Sequence, residues 1–121
     1  AVKSITAGSA VGLITMPEKT AQQYINGGRA YQRMWLAAEK YQLAVHPIIS
    51  PLYFFPRMDQ GDSGLSLDEM EELKLLRKRF LQVFNLEGGL AEIFLFKLFY
   101  APKPEVKALR LPLKDVLFVN K

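Results

Sequence analysis

The run EIFLFKLFY at residues 92–100 constrains this chain more than any other feature. Apart from Glu92 and Lys97 it is apolar on both alternating faces, the pattern of a strand buried on both sides of a sheet. Pro102 and Pro104 follow at once and stop it. A second apolar run, AVGLITM at Ala10–Met16, closes at Pro17 and predicts a short buried strand. The missing N–H of Pro17 costs nothing in the first turn of a following helix.

That helix is expected over residues 18–41, where Tyr24, Gly28, Tyr31, Trp35 and Ala38 recur at alternating four and three residue spacings, forming one seam. Gly27 and Gly28 each cost roughly 1 kcal/mol in a helix interior relative to alanine, so a close approach by another backbone or a ligand is the expected reason for them, with tight helix packing the leading form and a kink the alternative. The same spacing makes packing the leading role for Tyr24, Tyr31 and Trp35, ahead of stacking on a cofactor. Residues 43–55, LAVHPIISPLYFF, read as an extended run that its prolines break into a loop, and residues 58–64 as a turn-rich loop. Ser66 and Glu69 then form a capping box, with Leu65 and Met70 as a hydrophobic staple. The helix they open is expected to pack through Leu73, Leu76, Phe80 and Val83 and to end between Asn85 and Gly89. The apolar run at 116–119 suits an edge strand or an arm lying on a partner.

Composition excludes several chemistries. Half of the 121 residues are apolar, enough for one compact domain with a core. No cysteine is present and His46 is the single histidine, which removes disulfides, thiolate chemistry and histidine-rich metal sites. A lone histidine beside a proline in an apolar run is more often structural than functional. The net charge of +4 is spread along the chain. Arg77, Lys78 and Arg79 follow Asp68, Glu69, Glu71 and Glu72 on one helix, which is the order the helix dipole prefers, so nucleic-acid binding there is not expected. Glu92, Glu105 and Asp115 stand apart, so no carboxylate pair for acid–base catalysis is expected. Without a membrane-length apolar run or a signal segment, the chain reads as soluble and cytoplasmic.

Three stretches in this order, GGRAYQRMWLAAEKYQLAVHP, FLFKLFYAPKP and LRLPLKDVLF, resemble the nitroreductase family of FMN-dependent oxidoreductases. With their spacers they span residues 27–118. The resemblance implies an α+β fold in which long central helices pack on a small sheet. It also implies a homodimer through those helices, FMN at the dimer interface, and hydride passed from NAD(P)H through flavin to an acceptor. Residues 1–121 then form one domain, the carboxy-terminal part of a nitroreductase-like unit. Pro47, Ile48, Ile49 and Ser50 match the loop that runs along the flavin ring. Arg110 matches the basic residue that meets the FMN phosphate, and Lys107 lies near that position without an exact match.

The departures are specific. Ile49-Ser50 replaces a common Glu-Gly, leaving backbone contacts but no carboxylate. Phe99 replaces a glycine before Tyr-Ala-Pro, and Gln42 replaces a helix-ending glycine. The family's amino-terminal arginine-serine phosphate motif and the asparagine that follows it are missing. A second expectation therefore stands beside the first: a non-catalytic dimerisation domain that has lost flavin binding.

Overall fold

A computed structural model describes residues 8–61, 64–102, 106 and 108–119. The elements are β1 (Ala10–Met16), α1 (Ala21–Lys40), β2 (Leu43–Pro47), α2 (Ser50–Gln60), α3 (Leu67–Val83), β3 (Ala91–Tyr100) and α4 (Leu113–Val116). The chain is α+β, with one three-stranded sheet in the order β1-β3-β2. Both outer strands run antiparallel to β3. The strand predicted to be buried on both sides is thus the central one, satisfied by backbone partners on both edges.

α1 crosses one face of the sheet. Its first turn begins later than Pro17: Thr20 is the N-cap, and its hydroxyl accepts from the Gln23 N–H at 3.3 Å. The buried seam also differs from the expected one by a small rotation. Gly27 and Ala38 are buried, with Ala30, Tyr31 and Met34 half-buried between them and Gln23 half-buried one turn before, while Tyr24, Gly28 and Trp35 lie on the exposed side. The aromatic rings still fasten this helix to the sheet, because Tyr31 sits 4.0 Å from the Phe94 ring centroid and 5.2 Å from that of Trp35.

The register explains Gly27. Ile14 pairs with Phe94 but Thr15 pairs with Glu92, so β3 carries a bulge at Ile93. The extra residue disturbs the two-residue alternation, and Ile93 and Phe94 both meet α1. A Cβ on Gly27 would lie 2.6 and 2.7 Å from two Ile93 carbons. Gly12 is constrained in the same way by its cross-strand neighbour Phe96, whose ring edge occupies the space at 2.5 Å. Gly28 has nothing within 4 Å, so the two adjacent glycines have separate explanations.

Residues 50–60 correct the loop expectation. Pro51 falls at the start of α2, where a missing N–H is harmless. Pro56 lies inside the helix, and Gly61 ends it at φ 74°. The capping box of α3 forms as expected: the Ser66 N–H donates to Glu69 Oε2 at 2.7 Å and the Glu69 N–H to Ser66 Oγ at 3.3 Å. Those bonds hold the Glu69 carboxyl below its ordinary value. The packed face of α3 runs through Met70, Leu73, Arg77 and Phe80, and Val83 is exposed. Asn85 closes the end of the helix at φ 51°.

The end of the chain forms no edge strand. Residues 108–119 are exposed throughout, with one short helical turn at α4. Among the described residues, no helix is long and apolar enough to cross a membrane.

Substitution tests the packing of α1. Gly27→Ala is expected to lower stability by about 1–2 kcal/mol, since overpacking against Ile93 outweighs the gain in helix propensity. Gly28→Ala is expected to raise it by about 0.5–1 kcal/mol. Thermal unfolding at low protein concentration reads both signs.

Candidate functional site

The segment expected to line a flavin ring lies where β2 passes into α2. Pro47 pairs with Phe96 at the end of β2. The Ile48 N–H then donates to the Leu95 carbonyl at 2.8 Å, which carries the pairing one residue past the strand. Ile49 turns the chain into α2 with helical backbone angles and no side-chain cap. Its side chain is 68 % exposed, and Ser50 is exposed beside it. An uncapped first turn leaves amide groups at the positive end of the helix dipole, so this junction offers an apolar side chain and backbone donors to a ligand.

Arg110 lies in the exposed tail, and no hydrogen bond or ion pair joins it to the junction or to any other described residue. Lys107 falls outside the described residues. The residues carried by the resemblance thus form one anchored group, Pro47 to Ser50, and one free arginine. His46 is exposed on the edge strand β2, across from Lys97.

At the other end of α2 stands an ion network that the sequence reading did not anticipate. Arg77 on α3 donates from Nη2 to both Glu92 oxygens at 3.0 and 3.2 Å and from Nε to Oε1 at 3.3 Å. Its Nη1 reaches Asp59 Oδ1 on α2 at 2.7 Å, and Asp59 Oδ2 takes Lys19, from the β1–α1 connection, at 2.6 Å. The guanidinium lies 5.1 Å from the centroid of the Phe55 ring, and Phe55 packs edge-on against Phe80 at 5.3 Å. Burial would lower the Arg77 pKa, but Glu92 and Asp59 more than offset it and hold the charge firmly. Burial would raise the Asp59 carboxyl, yet Lys19 and Arg77 keep it below its ordinary value.

One expectation is corrected here: Glu92 is not an isolated acid, since Arg77 pairs with it. The signal was present in the sequence: Glu92 is the one acid in a central strand that is apolar apart from it and Lys97, and burial demands a partner for it. Only contact between α3 and β3 identifies that partner.

Phe99, the bulky replacement for a glycine, is half-buried. The Lys97 ammonium lies 5.1 Å from its ring centroid, and Lys97 itself is buried in β3. A cavity of 510 Å³ opens where α1 ends, between Tyr41, Gln42 and the Tyr100-Ala101-Pro102 turn. Gln42 adopts φ 58° there, a left-handed backbone that favours glycine. No group of three or more metal-ligating side chains is clustered among the described residues.

Known proteins place little beside this geometry. No family model matches the chain, and no solved structure matches it significantly. An uncharacterized protein of Mycobacterium tuberculosis (strain CDC 1551 / Oshkosh) is 28 % identical over 102 residues, covering 84 % of this chain. The chain spans 14 % of the length of that relative.

Removing one partner tests the network. Glu92→Ala removes one of the two carboxylates that neutralise the largely buried Arg77, and denaturant unfolding is expected to show a loss of about 1–3 kcal/mol, below the limit for a stranded buried charge because Asp59 still pairs with the guanidinium. The depressed Asp59 carboxyl stabilises the fold fully above its unfolded value of about 3.9, and that contribution disappears as pH falls further. Asp59→Asn is therefore expected to flatten the fall in stability below about pH 4, read as midpoint against pH.

Proposed function

We propose that this chain is the carboxy-terminal part of an FMN-binding, nitroreductase-like oxidoreductase domain of the cytoplasm, which passes hydride from NAD(P)H through flavin to an acceptor. The flavin site is completed by polypeptide beyond these residues and by a second copy docked along α1. The Pro47–Ser50 junction lies along the ring, and Arg110 takes the phosphate with the planar, bidentate geometry that suits an arginine. The protein's part is orientation and electrostatic tuning, since the flavin supplies the redox chemistry.

The observation that carries this reading is the backbone at Gln42. The resemblance expects a helix-ending glycine there, and this chain keeps the left-handed conformation although glutamine adopts it at a cost of about 1–2 kcal/mol. The backbone between α1 and β2 thus follows the pattern where the side chain departs from it. An open apolar flank on α1 gives further support: Tyr24, Ile25, Trp35 and Leu36 are all exposed, and the sheet covers only the adjoining side of that helix.

A second reading, a dimerisation domain without flavin, is favoured by Phe99, whose half-buried ring occupies a position the resemblance expects to be small. Flavin titration separates the two. The chain alone is expected to stay colourless. A polypeptide extended upstream through an arginine-serine motif is expected to retain FMN and appear yellow. In that longer protein Arg110→Ala is expected to weaken FMN binding about ten- to a hundredfold, the loss of one charge-assisted contact. An extended protein with no flavin affinity would leave the second reading standing.

A further inference from the structure

The flavin reading accounts for the backbone at Gln42 and not for its side chain. A glycine would hold φ 58° without strain, yet this chain carries a glutamine there, in the lining of the 510 Å³ cavity. Strain kept at such an outlier points to function. Leu43 pairs with Tyr100 at the last rung of the β2–β3 ladder, and the cavity lies beyond that rung, between Tyr41 and Gln42 on one strand end and the Ala101-Pro102 turn on the other. Tyr41 is 70 % exposed and Tyr100 80 %. No hydrogen bond, ion pair or ring contact joins the side chains of Tyr41, Gln42 or Tyr100 to another described residue. Two phenol rings and an amide thus line one concave space with their binding capacity unused.

The volume falls in the range of small-molecule clefts, roughly 300–1,000 Å³. Chemistry narrows the ligand. Tyrosine faces stack flat aromatic rings. A glutamine amide presents a donor and an acceptor side by side, which complements the N6 and N7 edge of adenine, whereas guanine offers two acceptors at that edge. Glu39, also in the lining, can accept from ribose hydroxyls. The carboxy-terminal end of α1 repels a phosphate, so the charge to hold one comes from Lys40, exposed in the last turn of that helix.

We propose that this cavity binds an adenine nucleotide, with the base against Tyr41 and Tyr100, the Gln42 amide on its N6 and N7 edge, Glu39 on the ribose and Lys40 on the phosphate. The group can arrive as a free mononucleotide or as the adenosine half of a nicotinamide dinucleotide. The cavity lies at the opposite end of β2 from the Pro47–Ser50 junction and needs no flavin, so it stands or falls separately from the flavin reading.

Calorimetric titration of the whole chain tests it. AMP is expected to bind about tenfold more tightly than GMP, the margin of one amide–base pair. Gln42→Gly removes the amide and relieves the left-handed backbone. Its thermal midpoint is expected to rise while AMP affinity falls about tenfold and the preference over GMP disappears; a glutamine with a purely structural part would give the rise alone. Tyr100→Leu removes a stacking face and is expected to weaken AMP binding about tenfold, with circular dichroism checking that the variant folds. NADH bound as tightly as AMP assigns the site to the adenosine half of a dinucleotide, and NADH excluded while AMP binds assigns it to the free mononucleotide. Absence of saturable AMP binding at about millimolar concentration, equal affinity for AMP and GMP, or a Gln42→Gly variant that binds AMP unchanged would each overturn the proposal.

Discussion

Arg77 is the point on which the arrangement of this molecule depends. Its guanidinium spans three elements, bonding Glu92 on β3 and Asp59 on α2 from its own helix α3. Such a group is worth little at a surface and a great deal when largely shielded from water, where breaking one partner strands a charge. The Arg77 side chain is 14 % exposed and that of Glu92 7 %, so the fork belongs to the second kind. Its planar shape also lets it lie against Phe55 while the edge makes its bonds, which a lysine would not do. The network ties α3 to the far end of α2 and to the start of β3, whereas the Pro47–Ser50 junction is held by its own pairing with β3.

The sheet is covered by two different means. α1 uses shape: aromatic rings, a bulge that turns two neighbouring residues toward the helix, and a glycine that lets Ile93 come close. On the hairpin side, charge supplements a smaller apolar contact centred on Phe55 and Phe80. Neither arrangement consumes all the apolar surface available. The outer flank of α1 and the tail remain open, and burial of such surface is the main driving force for association.

Much of the fold was legible from local chemistry. The capping box at Ser66 and Glu69, the helix end before Gly89 and the doubly buried character of β3 each depend on residues close in sequence, so pattern reading recovers them. The misreadings share a cause. Residues 50–60 looked like a proline-broken loop because a helix tolerates Pro51 only if it begins there, and nothing local fixes that start. The seam of α1 is turned by about one residue from the apolar spacing because Ile93 packs directly on Gly27, which puts that glycine toward the sheet and leaves Tyr24 and Trp35 at the side. For the candidate site, the resemblance supplied Pro47 to Ser50 and Arg110, whereas Arg77 and Glu92, fifteen residues apart, were read as unrelated.

The sequence by itself determined the elements, their caps and the central strand, because hydrogen-bonding propensity and hydrophobic period act over a few residues. Only the tertiary structure decided which glycine is crowded, which strand pairs where, and which acid neutralises which base. Those outcomes depend on distances between segments far apart along the chain, and a buried charge selects its partner only after the fold has brought the two together.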